Sequence, residues 1–191
     1  FAEVPTEHPR LRRAIERNLN GLNNCILKRR AHNKFYELGT AHGLDFFRIA
    51  IHALYNDLFA DLHRSFDNHP DAASIWYVRN LDRQLFDEAI AEVSITLERL
   101  KELSEKTKHI RDRVHFHVDR RDLLEPVSAW RTAALTGNEV IELTEKAHEI
   151  LRIMYLRLTG EDRPVLEYYA EDVELIVRSY KEAHSDAPLA I

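Results

Sequence analysis

Cysteine is almost missing from this 191-residue sequence: Cys25 stands alone, so neither an internal disulfide nor a cysteine-based zinc site can form. A single thiol suits a reducing cytoplasm, the expected location. Glycine and proline are scarce too, at five and six residues. A sheet-rich fold with many tight turns needs more of both, whereas long helices tolerate the shortage. No apolar run approaches the ~20 residues of a membrane span, so no membrane association is expected. Phe1 to Arg13 carries charge and two prolines, unlike a secretory leader. A Walker-type loop, G-x-G-x-x-G and G-x-S-x-G are also absent, which leaves nucleotide-dependent and acyl-transfer chemistry without support.

What is present is helical periodicity. With 45% hydrophobic and 31% charged residues, the composition is that of a soluble globular protein. Leu11, Ile15, Leu22, Cys25 and Ile26 mark one face of a first helix over 8–37. Leu44, Phe47, Ile51, Leu54, Leu58 and Leu62 step by three and four along a second. Asp67 to Asp71 reads as a loop. Phe86, Ile90, Val93, Leu97 and Leu100 mark a third long helix, running on with a break toward 124 and ended by Pro126. Thr136-Gly-Asn-Glu139 resembles a capping box, followed by a stripe from Val140 to Leu158 that Gly160 closes. Pro164 is expected to open the last helix, with Leu166, Tyr169, Val173, Ile176 and Tyr180 on one side. Without repeats or a convincing linker, the reading is all-α: one helical-bundle domain of five to six helices over 1–191, with a frayed tail at 184–191.

The net charge of −5 argues against a general nucleic-acid coat. Residues 106–121, however, hold six Lys/Arg and two Asp, a local +4 that leaves −9 for the remainder. Such a strip suits an anionic ligand; a solvated helix face has the same composition. Within it, Ile110, Val114 and Val118 share a narrow stripe. Arg111 and His117 flank that stripe about 120° apart on a continuous helix, so they converge only if the helix breaks or a second chain packs on the seam. Arg111/His115 and Arg113/His117 are i,i+4 neighbours. A neutral imidazole can take the proton of a ribose 2′-hydroxyl, and an arginine can hold the phosphate and its growing charge, with no metal needed. The same residues also suit a packed seam, with His117 half-buried and the arginines bonded to Asp112, Asp119 or distant glutamates. Residue chemistry by itself favours that second arrangement.

Arg111-Asp112, four residues, then His117-x-Asp119 resembles the R-x4–6-H motif of HEPN domains (higher eukaryotes and prokaryotes nucleotide-binding), particularly the abortive-infection AbiU-type branch. The match is tight over about ten residues of the sequence; the segment Ala53 to His63 on an earlier helix agrees more loosely. The resemblance implies a helical bundle, often dimeric with facing motifs, and for many members metal-independent RNA cleavage in phage defence or toxin–antitoxin systems. By position it makes Arg111 the phosphate-binding arginine, His117 the catalytic histidine and Asp112 an orienting group. His115, a second histidine inside the motif, departs from the commonest form and leaves open which imidazole is active. Lys106, Lys108, Arg113, Arg120 and Arg121 would draw RNA to the seam. RNA, a second copy of the chain and an antitoxin protein are the expected partners, and no cofactor is expected. The alternative is a non-catalytic HEPN-like module that binds a protein or a nucleotide.

Other candidates carry less. Glu145-x-x-His148 is half of a di-iron motif without its second copy, so no metal is expected. His52 and His63 flank core positions and read as structural histidines. Asp57 and Asp61, one turn apart, are expected to pair with bases such as Arg64 or to line a cleft.

Overall fold

The computed structural model describes residues 9–39, 45–112 and 131–183. His115, His117, Arg113, Arg120, Arg121, Pro126 and the 184–191 tail lie outside the described residues. Those described form helices and connecting turns, with no strand among them. In order these are α1 (Pro9–Glu37), α2 (Asp45–Phe66), α3 (Ile75–Leu81), α4 (Arg83–Val93), α5 (Leu97–Ile110), α6 (Gly137–Thr159) and α7 (Glu171–Ala183). The all-α reading stands. The chain forms two compact units: Phe1–Ile26 with Phe59–Val165, and Leu27–Leu58 with Leu166–Ile191.

In the first unit the stripe read on α1 is the buried one: Leu11, Ile15, Leu22, Cys25 and Ile26 are all at most 2% exposed. Gly21 on the same helix is small for a reason, because a Cβ there would meet Ser65 Oγ at 3.2 Å. Helices α4 and α5 both pack on α6, and Phe86, Ile90, Leu100, Leu103, Leu143, Ile150 and Met154 on these helices are buried. Buried polar groups are bonded where they fall. Asn18 Nδ2 donates to the carbonyls of Ala14 and Ala73, both at 2.8 Å, tying the approach to α3 onto α1.

The stripe from Phe86 to Leu100, read as one helix, is divided at Ser94–Thr96, while the stretch toward 124 where a break was expected lies mostly outside the described residues. Ser94 sits in the left-handed region (φ 56°), and Thr96 restarts the chain as an N-cap, its hydroxyl accepting from Arg99 N. Helix α3 was not expected: seven residues carry too short a period to register against the loop signals before it. The capping box at Thr136–Glu139 is present in both directions, and Gly160 ends α6 with φ 76°.

In the second unit Phe35, Phe47, Ile51, Val173 and Val177 form the core. Here the last helix departs from expectation. Residues 161–170 are not helical, and α7 begins only at Glu171. Arg30 Nη1 takes the carbonyls of Leu166 and Tyr168 (3.3 and 3.2 Å), holding that stretch extended, and Ala170 enters the left-handed region at φ 59°. Glu171, Asp172 and Glu174 then meet the positive end of the helix. Leu166, Tyr169 and Ile176 are consequently exposed, and Val173 with Val177 supplies the buried face.

Candidate functional site

The last turn of α5 places Arg111. Leu103, Thr107 and Ile110 are buried along one face, and Thr107 Oγ1 donates back to Leu103 O at 2.8 Å, a bond that tends to bend helices. After Ile110 the helix loosens into a wider, π-type turn at Arg111 and Asp112. Such turns re-aim side chains and recur at functional sites. Arg111 is half-buried, its side chain 18% exposed, and its guanidinium donates to Asp112 and to the imidazole of His63.

His63 arrives from the last turn of α2, between buried Leu62 and Phe66. Arg111 Nη1 lies 2.6 Å from Nδ1 and also close to Nε2, while Asp67 Oδ2 stands 3.6 Å from Nε2. A guanidinium only donates, so His63 must present a bare ring nitrogen and be neutral. Its surroundings favour the same form. Burial first and the Arg111 charge second push the imidazole below its ordinary value, outweighing Asp67 and Asp112. His63, Asp67, Ser104, Thr107 and Lys108 surround a hollow of about 10 Å³, about the room of one water molecule. It has space for a single oxygen atom; a nucleotide must lie outside it.

Lys106, an earlier basic residue of the strip, behaves differently. Lys106 Nζ is bonded to Glu139 at 2.7 Å and lies 3.2 Å from Glu102. Arg99 joins the same group, reaching Glu102, Glu139 and Glu142. Lys106 foremost, with the Thr136 backbone, holds the Glu139 carboxyl down to about 2.

Of the weaker candidates, His148 is 1% exposed, its ring nitrogens have no partner among the described residues, and burial pushes it down to about 4. Among the described residues no group of three or more His, Cys, Asp or Glu converges as a metal site. Asp61 is buried and pairs with Arg64, and Asp57 pairs with Lys28. His52, read as a structural histidine flanking the core, follows buried Ile51 but is itself exposed on α2. His63 is the residue that sequence reasoning missed as a partner of Arg111; its i,i+4 spacing to Asp67 across the end of α2 was the available signal.

The family model HEPN_AbiU2, described as AbiU2, matches residues 7–176. The chain belongs to the AbiU2 family of HEPN domains. No curated protein and no solved structure matches it. Arg111 and Asp112 of the motif therefore lie inside a matched HEPN span, at the point where α5 loosens. No helix among the described residues is long and apolar enough to cross a membrane.

Proposed function

We propose that this AbiU2-family chain is a metal-independent endoribonuclease acting in phage defence or as a toxin, with Arg111 and His117 as its reacting pair. The observation that carries the reading is Arg111, half-buried at the loosened end of α5 and held beside a neutral imidazole instead of being sealed among carboxylates. In the reaction one imidazole, His117 or His115, removes the 2′-hydroxyl proton. The O2′–P bond forms and the P–O5′ bond breaks, giving a 2′,3′-cyclic phosphate. The 5′-oxygen takes a proton from the second imidazole, in the same chain or across the two-fold axis of a homodimer. Arg111 holds the phosphate through its fork as charge grows, and Asp112 orients that fork. Lys108, Arg113, Arg120 and Arg121 attract the strand; Lys106, neutralised by Glu139, contributes least. The matched span runs through both compact units, which supports reading the chain as one HEPN domain. Where an antitoxin protein exists, it would cover this seam.

The bonding of Arg111 to Asp112 favours one alternative, a non-catalytic module in which that pair is structural and the seam binds a protein or nucleotide. The test is incubation of purified protein with single-stranded RNA in EDTA. The wild-type chain is expected to cut it to 2′,3′-cyclic phosphate ends, while His117→Ala and Arg111→Ala are not. Equal activity, or equal inactivity, of all three removes the ribonuclease assignment.

A further inference from the structure

Beside the hollow at His63 lies a second, larger space in the first unit. This cleft of about 350 Å³ is lined by Asn68, Trp76, Arg79, Asn80, Lys101, Ser104 and Glu105. That volume lies within the range of small-ligand sites. Asn68 and Ser104 also line the hollow, so the two spaces adjoin along the same edge of α5.

The lining combines a fixed aromatic with polar groups that have no assigned work. Trp76 is held in place: its Nε1 donates to Phe66 O at 3.0 Å, and the Phe66 ring meets it edge-on at 6.2 Å. Arg79 is locked to Asp87 at 3.0 and 3.2 Å and makes a rigid wall. Among the described residues, the side chains of Asn68, Asn80, Lys101 and Glu105 have no hydrogen-bond or ion-pair partner, and all four are exposed. Amides that donate and accept, a carboxylate acceptor and one uncommitted cation around an indole fit a nucleobase with its phosphate. A purely apolar ligand would leave them unmatched.

We propose that this cleft is a base pocket, holding one unstacked nucleobase of a single-stranded RNA against Trp76. The proposal rests on the ribonuclease reading for the identity of the strand. Trp76 supplies the stacking face, and Asn68 and Asn80 bond the base edge. Glu105 accepts from an exocyclic amine, and Lys101 meets the phosphate. Because the pocket shares Asn68 and Ser104 with the hollow lined by His63, and Arg111 bonds to His63, a base seated here sets which phosphate of the strand reaches the guanidinium. Uracil, which lacks an exocyclic amine, is the weakest occupant.

The chain has two tryptophans, Trp76 and Trp130, so Trp130→Phe makes Trp76 the sole reporter. This full-length protein is titrated with 2′-O-methyl octa-adenylate and octa-uridylate, which cannot undergo 2′-hydroxyl attack, and with AMP. The expected result is saturable quenching by the adenylate strand, weaker quenching by the uridylate strand and weakest by AMP. AMP binding as tightly as the strand would make the ligand a free nucleotide and overturn the RNA assignment. Anisotropy of a labelled strand serves as a second readout that needs no tryptophan. By it, Trp76→Leu weakens binding about tenfold, and Asn68→Ala and Lys101→Glu, both on exposed side chains, weaken it several-fold. Circular dichroism verifies that each variant is folded. Absent quenching in folded protein, or unchanged binding in the Asn68 and Lys101 variants, overturns the pocket. Binding without any cleavage of unmodified RNA removes the ribonuclease reading and leaves the pocket standing; cleavage without Trp76 quenching does the reverse.

Discussion

The two ends of α5 carry similar charges and use them oppositely. At its start Arg99, with Lys106 a turn and more further on, is closed in by Glu102, Glu139 and Glu142. At its finish Arg111 meets one carboxylate and a neutral imidazole, and that imidazole lines a hollow that adjoins a larger cleft. A cation matched by carboxylates has its field cancelled locally and holds helices in register. A cation facing an imidazole keeps most of its charge available to an anion. The positive strip counted along the sequence therefore mixes two kinds of residue, and only their partners separate them.

The sharpest test of that contrast exchanges the two arginines. Arg111→Ala is expected to lower RNA cleavage by about 10²- to 10⁴-fold, the scale of losing a transition-state charge or a general base, with little change in melting temperature. Arg99→Met is expected to do the opposite, leaving cleavage intact and lowering the melting temperature slightly. Cleavage assays beside thermal melts of both variants decide it. If Arg99→Met abolishes cleavage in folded protein, the two ends do not differ in kind.

A second comparison sets His63, which has partners, against His148, which has none among the described residues. His148 is buried, and its imidazole is pushed down to about 4. In the unfolded chain it titrates near 6.5. Between those values the unfolded state binds the extra proton, so stability falls as pH falls. At about 1.4 kcal/mol per pH unit, the loss approaches about 3 kcal/mol by pH 4. Urea unfolding of wild type and His148→Leu from pH 7 to 4 should show a steeper decline in wild type by that amount. Parallel curves would mean that His148 finds a partner. For His63 the expected effect is smaller: His63→Leu lowers kcat for cleavage about tenfold with KM nearly unchanged, because Arg111 loses its acceptor, whereas His63→Gln, which keeps an acceptor, recovers most of it.

These contrasts also mark what the sequence could carry. Long periodic stretches on α1, α2 and α6 were legible because burial acts on every turn, and Thr136 and Gly160 because caps have local chemistry. The last helix was misplaced because Arg30, more than a hundred positions away, takes the carbonyls of Leu166 and Tyr168, a contact no local pattern records. A short motif singled out Arg111, whereas the spacing of His63 to Asp67 marks a polar pair without saying which element that edge of α2 faces. The Trp76 cleft is assembled from the loop after α2, helix α3 and the exposed edge of α5, three pieces with no common period.

The smallest expected effect lies at the closed end of α5. Thr136 Oγ1 accepts from Glu139 N at 3.2 Å, and Glu139 Oε2 accepts from Thr136 N at 2.9 Å; the same carboxylate holds Lys106. Thr136→Ala removes one arm of this box and should cost about 1 kcal/mol, the usual value for a lost N-cap. The remaining arm and Lys106 keep Glu139 ionised. Its contribution is therefore still present above about pH 4.5 and fades only as pH falls toward 2. Urea denaturation should show a lower midpoint with an unchanged slope, and RNA cleavage should match wild type. A loss of cleavage from this exposed cap, with folding intact, would mean that the carboxylate cluster positions Arg111 through the length of α5, and the two ends would then work as one device.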